Sequence, residues 1–262
     1  MAIIDQVTLR TGVADWLNRS DLTDAQIDDF VVIGEARLYE ELRVPTLEVV
    51  QSFSVTSTNS SFIIPSGLIE IKEIKLDATD KDDDVVLSRV DSKTFTNNKI
   101  SHAYTRQAGN FLLTDKSGNQ EASGTYTMTY YKAGDPIGTY STSVTAGAFV
   151  VDKYYKILTV GNTSFTGIGA SANTVGVIFK ATGVGSGTGT AYVETIPWIL
   201  GTEFETILFA TAAVGSTFLG DIEMEQKFNE LTMRKVGALN QKEIKASTKG
   251  GAFHAAFSDG LL

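Results

Sequence analysis

TDAQIDDFVVIGEARLYEELRVPTL, running from Thr23 to Leu47, specifies one strongly amphipathic helix together with its start and its stop. Thr23 is a good N-cap because its hydroxyl can accept a bond from an otherwise unpaired amide, and Gln26 can reach back to complete a capping box. Asp24, Asp28 and Asp29 place negative charge in the first turns, where the helix dipole favours it. Ile27, Phe30, Val31, Gly34, Leu38 and Leu42 recur at spacings of three and four and make a single apolar stripe, with Glu35, Arg37, Glu40 and Glu41 mostly on the other face. Val44 precedes Pro45, and a residue before proline is pushed out of the helical region, so the helix should end near Arg43. Gly34 costs roughly 1 kcal/mol against alanine within a helix, which makes it a candidate for close approach by another backbone. Such a stripe reads first as ordinary core packing; it points to packing and assembly rather than to chemistry.

Working outward, an earlier helix is expected over about Ile4 to Leu17, with Asn18 to Asp21 as the turn, so the two should form an antiparallel hairpin. From Val49 the period changes to two. Val49 to Val55, Ser61 to Ile64, Ile69 to Leu76, Ala103 to Arg106, Phe111 to Thr114 and Thr125 to Lys132 read as strands, with a short helix at Ser92 to Asn97 capped by Asp91. The acidic stretch Asp77 to Asp84 reads as a solvated loop. After Trp198 the helical period returns: Phe204, Ile207, Leu208, Thr211, Ala212 and Gly215 make one face, and Asp221 caps a last helix marked by Ile222, Met224, Phe228, Leu231, Val236 and Leu239. The fold class is therefore α+β: a discontinuous helical bundle from 1–48 and 195–246, a central antiparallel β domain over 49–137, an inserted small all-β module at 138–194, and an extended tail at 247–262.

The inserted stretch stands apart in composition. Gly138 to Ala191 holds ten of the chain's 24 glycines and, as charged residues, only Asp152, Lys153, Lys156 and Lys180. Phe149 to Val151, Tyr154 to Val160, Thr174 to Thr182 and Thr190 to Val193 read as its strands. A core of about 50 residues is marginal alone and should lean on a neighbour.

The chain has 262 residues, 42% of them hydrophobic, no cysteine, and a net charge of -9. That is enough apolar content for a real core, without disulfides or thiolate metal sites. The acidic balance argues against a DNA-coating protein, since phosphate neutralisation needs a basic surface. No run reaches the roughly 18 apolar residues of a membrane span, and MAIIDQVTLR lacks a basic segment followed by an apolar one.

Catalytic chemistry finds no foothold. His102 lies between expected strands and His254 in the tail, so a triad or metal pair would need distant partners. Gly183, Gly185, Gly187 and Gly189 in GVGSGTG lack the lysine and strand-loop-helix setting of a phosphate loop. Asp80, Asp82, Asp83 and Asp84 lack the spaced ligands and closing glutamate of a calcium loop. No carboxylate pair stands out for glycosidic work, and Tyr126, Tyr130 and Tyr131 at strand spacing read as core or cross-strand packing. The expectation is a protein with no catalytic, cofactor or metal site.

The ordered words VADWLNRSDLTDAQIDDFVVIGEARLYEELRVPTLE, SGLIEIKEIKLDA, TYTMTYYKAGDPI and IPWILGTEFETILFATAAVGSTFLGD resemble the head-to-tail adaptor (connector) proteins of short-tailed bacteriophages. Within the insert, VDKYYKILTVGNTSFTGIGASANTVGVIFKATGVGSGTGTA resembles a small glycine-rich module that recurs in phage virion proteins. The first resemblance implies a homo-oligomeric ring, usually of twelve copies, in the neck of the virion between head and tail and assembled in the host cytoplasm. It implies a portal protein above, tail nozzle or fibre proteins below, and DNA passing through the lumen without sequence-specific binding. On that reading Arg37, Glu40, Glu41 and Arg43 are candidate subunit contacts, and Phe253, His254, Phe257 and Leu261 are candidate anchors of a tail that docks on the portal or a neighbour. An alternative is a fibre-anchoring or host-glycan-binding virion protein acting through the insert, with Tyr154 and Tyr155 as exposed aromatics.

Overall fold

The computed structural model describes residues 3–77, 85–120 and 122–247, with side chains through 242. Helix α1 spans Gln6–Trp16. Its cap is reciprocal: Asp5 Oδ1 accepts the Thr8 N–H at 2.8 Å and Thr8 Oγ1 accepts the Asp5 N–H at 3.1 Å. Helix α2 spans Asp24–Glu41, and the expected capping box is present, Gln26 Oε1 accepting the Thr23 N–H at 2.9 Å and Thr23 Oγ1 accepting the Gln26 N–H at 3.3 Å. Leu42 is already extended, and Pro45 opens a single 3-10 turn.

Nine strands and one short helix follow in the central part and its sequel: β1 Glu48–Val55, β2 Ser61–Ile63, β3 Leu68–Leu76, β4 Val85–Val86, β5 Ser88–Arg89, α3 Ser92–Asn97, β6 Ala103–Gln107, β7 Asn110–Leu113, β8 Gly124–Lys132 and β9 Tyr140–Thr145. β10 Tyr154–Thr159, β11 Ile178–Lys180 and β12 Thr190–Glu194 come next, then α4 Trp198–Gly201, α5 Phe204–Leu219 and α6 Ile222–Ser247. The α+β class, with helices at both ends of the chain, is thus observed.

Two compact units hold the described residues: one those of Met1–Leu42 with Gly134–Leu239, the other those of Arg43–Ala133 with Asn240 and the described residues after it. In the second unit, the sheets β1-β8-β3-β4 and β2-β7-β6-β5 contribute to one core. Ile74, Tyr126 and Met128 come from the first sheet and Phe62, Tyr104, Phe111 and Leu113 from the second. Pairing is antiparallel except between β5 and β6, which run parallel, Ser88 opposite Ala103. Helix α3 makes this possible: parallel neighbours need a crossover, and Asp91 Oδ1 caps it by accepting the Thr94 N–H at 2.9 Å.

In the first unit, α2 and α5 run antiparallel at very close range. A Cβ on Gly34 would lie 3.1 Å from the Thr211 nitrogen and 3.2 Å from the Ala210 carbonyl carbon, while one on Gly215 would lie 3.3 Å from the Phe30 ring. Gly34 therefore marks the close backbone approach that its place in the stripe suggested. The whole stripe of α2 is buried. Helix α5 departs from the one-face expectation, since every residue from Thr206 to Ser216 is buried. A helix that is buried all round is the centre of its bundle, with α1 reaching it near Leu208 and Trp16 stacking edge-on to Phe209 and Phe228. On α6, among the residues whose side chains are described, Phe228, Thr232, Val236 and Leu239 are buried, whereas Ile222 is 65% exposed rather than part of the packed stripe.

The glycine-rich segment forms the sheet β11-β10-β12-β9 over a core of Phe149, Tyr155, Phe165 and Phe179, with ring centroids 4.9 to 6.1 Å apart. Two strand expectations change. Phe149 to Val151 is not a strand: it leads into a turn in which Asp152 takes a left-handed φ of 70°, and Phe149 plugs the core. The fourth strand is instead Tyr140–Thr145, whose hydroxyl-rich sequence gives little alternation because β9 lies at the sheet edge.

Candidate assembly surfaces

The solvent side of α2 presents Arg37, Glu40 and Glu41, all exposed. They border a cleft of about 200 Å³ between α2 and α6, with Ala210 of α5 at its floor and Asn229, Thr232, Met233 and Val236 on the α6 wall. Met233 is 52% exposed there, and Ile33, one turn before Arg37, is 44% exposed. The rim is therefore charged, and inside it apolar Ala210, Met233 and Val236 alternate with polar Asn229 and Thr232, a mixed composition suited to a protein contact. Lys235 of α6 pairs with Glu205 of α5. Arg43 is placed differently from the other three: half-buried, it pairs with Glu70 at 2.5 Å, and its guanidinium lies 5.8 Å from the Tyr131 ring centroid. Its N–H donates to Asn240 Oδ1 at 2.9 Å. Phe253, His254, Phe257 and Leu261 lie outside the described residues, as do Asp80, Asp82, Asp83 and Asp84.

A second polar cluster was not anticipated. Glu35, expected on the outer face of α2, is buried, and both its carboxylate oxygens lie 3.1 Å from the Ile137 N–H, which donates to them. Burial pushes its carboxyl up to about 7, against the opposing effect of that N–H. Glu194, at the end of β12, is buried too: Oε1 accepts the Gln6 N–H at 2.8 Å, while Oε2 has no partner. Its carboxyl is likewise pushed up to about 7, chiefly by burial, then by Asp5, with the Gln6 N–H and Arg10 opposing. Nearby, Arg10 grips Asp28 through Nε at 2.7 Å and a terminal nitrogen at 2.5 Å, and Gln6 Nε2 donates to the same carboxylate at 3.0 Å. One signal for Glu35 stood in the sequence: it is four residues after Val31 and three before Leu38, so helical register places it beside the stripe.

The remaining candidates resolve into structural roles. Tyr126 and Tyr130 are core residues, and Tyr131 faces Arg43 and Lys72. Tyr155, expected to be exposed, is 1% exposed, and its hydroxyl oxygen accepts the Val150 N–H at 2.8 Å. Tyr154 is half-buried. In GVGSGTG, Gly185 and Gly187 take left-handed φ values of 70° and 108°, and Asn162 Oδ1 closes the loop by accepting the Thr188 N–H at 2.7 Å. His102 holds a left-handed φ of 46° at a turn, its N–H donating to the Asp115 carbonyl at 3.0 Å. Among the described residues no group of three or more His, Asp or Glu side chains is placed to hold a metal ion, and no helix is long and apolar enough to cross a membrane.

Residues 7–156 match the family model described as SU10 adaptor protein. That span begins inside α1, takes in α2 and both central sheets, and ends within β10. No curated protein matches the chain.

Proposed function

The chain belongs to the SU10 adaptor protein family, a family of structural phage proteins, and we propose that it is a head-to-tail adaptor forming a ring beneath the portal. The family match over residues 7–156 carries this reading. Phage DNA would pass through the ring's lumen, and tail nozzle or fibre components would attach below. The net charge of -9 supports passage rather than retention of DNA, because an acidic surface repels phosphate. A closed ring needs heterologous contacts, one face of each subunit complementing a different face of the next. The α2–α6 cleft, bordered by Arg37, Glu40 and Glu41, is the proposed contact face; Arg43, in the second unit, is proposed as a separate subunit contact, and the tail anchors Phe253, His254, Phe257 and Leu261 are proposed to dock on the portal or a neighbouring subunit.

Mass photometry and negative-stain electron microscopy of the purified protein, alone and with its portal, test this. Rings, or rings formed once portal is added, are expected. A protein that stays monomeric at every concentration and never binds portal overturns the reading.

A second reading concerns the glycine-rich segment alone. Val150, Val151 and Val184 are each about half exposed, and the Val184 carbonyl accepts the Phe149 N–H, which brings the backbone of Val184 beside the residue preceding Val150. These exposed valines are the proposed attachment point for another virion component. Deleting 138–194 should leave ring assembly intact and abolish that attachment; loss of assembly would make the segment structural.

A further inference from the structure

Both ends of the glycine-rich segment are tied to the helical hairpin by a buried glutamate. At the entry, the Ile137 N–H donates to Glu35 of α2. At the exit, Glu194 accepts the N–H of Gln6, the first residue of α1. The backbone at the entry is fitted closely to these helices: a Cβ on Gly134 would collide with the Tyr39 hydroxyl, and one on Gly138 would meet the Gln6 amide at 2.6 Å. Each carboxyl takes a backbone donor, and Arg10 acts on Glu194 as an opposing cation.

We propose that Glu35 and Glu194 are a pair of proton-sensitive clasps that set how firmly the glycine-rich segment is held to the α1–α2 hairpin. The charged and titratable groups facing them define the response. Tyr39 and Asp135 share the surroundings of Glu35. Asp5, Arg10, Tyr140 and Tyr154 share those of Glu194, with Asp28 held on Arg10, and Lys180 beside Asp5 and Tyr154. A cleft of about 190 Å³ lined by Asp5, Asp152, Lys153, Tyr154 and Glu194 borders the exit clasp, with Asp152 paired to Lys180.

The sign follows from linkage. A carboxyl whose clasped-state pKa lies near 7 and whose released value is 4.5 binds its proton more tightly when clasped. Clasping is therefore strongest at acid pH, weakens as pH rises from about 4.5 to 7, and is level above that. Between pH 5 and pH 7.5 the released fraction should grow roughly fiftyfold per carboxyl.

Amide hydrogen exchange of the full-length protein reads this directly, because the Ile137 and Gln6 amides are themselves the clasped donors. Protection corrected for intrinsic rate should fall roughly fiftyfold at both sites between pH 5 and 7.5 while core amides of β8 stay level. Glu35→Gln and Glu194→Gln keep a carbonyl acceptor but cannot ionise, so each should flatten the profile at its own amide. Level protection in the wild type, or a fall that survives the corresponding glutamine substitution, overturns the proposal. Should a variant fail to fold, carboxyl ¹³C titration of the wild type decides: midpoints near 7 support the clasps, and midpoints near 4.5 refute them.

Discussion

Gly34→Ala tests the crossing of α2 and α5 at a single atom. In an exposed helix this change stabilises by roughly 1 kcal/mol, since alanine has the better helix propensity and the unfolded chain loses freedom. At Gly34 the new methyl would lie 3.1 to 3.2 Å from three backbone atoms of Ala210 and Thr211. Backbone in the middle of a helix buried from Thr206 to Ser216 cannot swing aside as a flexible side chain would, so the two helices must separate, at a cost of about 1–3 kcal/mol for overpacking. Gly237→Ala in α6 is the matched control, because nothing lies within 4 Å of the added methyl. Urea unfolding followed by far-UV circular dichroism should therefore show Gly237→Ala gaining about 0.5–1 kcal/mol. Gly34→Ala should fall below it by about 1–3 kcal/mol. Equal gains for the two variants would show that α2 and α5 do not meet at Gly34.

Phe30→Asp should destabilise by several kcal/mol, from lost burial of about 1.5–3 kcal/mol and an added unpaired charge against Phe218 and Gly215; an unchanged melting temperature would mean that this face is exposed. Asp28→Ala removes the acceptor shared by Arg10 and Gln6 and should cost about 1–3 kcal/mol by chemical denaturation. An unchanged denaturation midpoint would show that the α1–α2 pairing stands without it. Tyr155→Ala should lower the stability of the glycine-rich segment by about 3–5 kcal/mol, read as increased proteolysis within 140–194, because the ring is a core residue among Phe149, Phe165 and Phe179; a fully stable variant would return Tyr155 to the surface.

Much of the helical architecture was legible because its signals are local. The Thr23–Gln26 box, the stripe from Ile27 to Leu42 and the Asp91 and Asp221 caps each depend on residues within a turn or two, and each appears where the spacing puts it. The strands of the glycine-rich segment were legible only in part. An edge strand such as Tyr140–Thr145 buries little, so its side chains need not alternate, whereas Phe149 and Tyr155 are drawn inward by one another and not by any period in the chain.

By itself, the sequence determined where helices begin and stop, which face of α2 is apolar, and that the two chain ends are helical around a β-rich middle. Those properties follow from hydrogen bonds and spacings between near neighbours. Only the tertiary structure decided that α5 is enclosed on all sides, that Gly34 touches its backbone, and that Glu35 turns inward to Ile137, 102 residues away. Such facts depend on which distant segment fills the space beside a residue. A carboxylate one register step from an apolar stripe faces solvent or core according to whether that segment brings a donor to meet it.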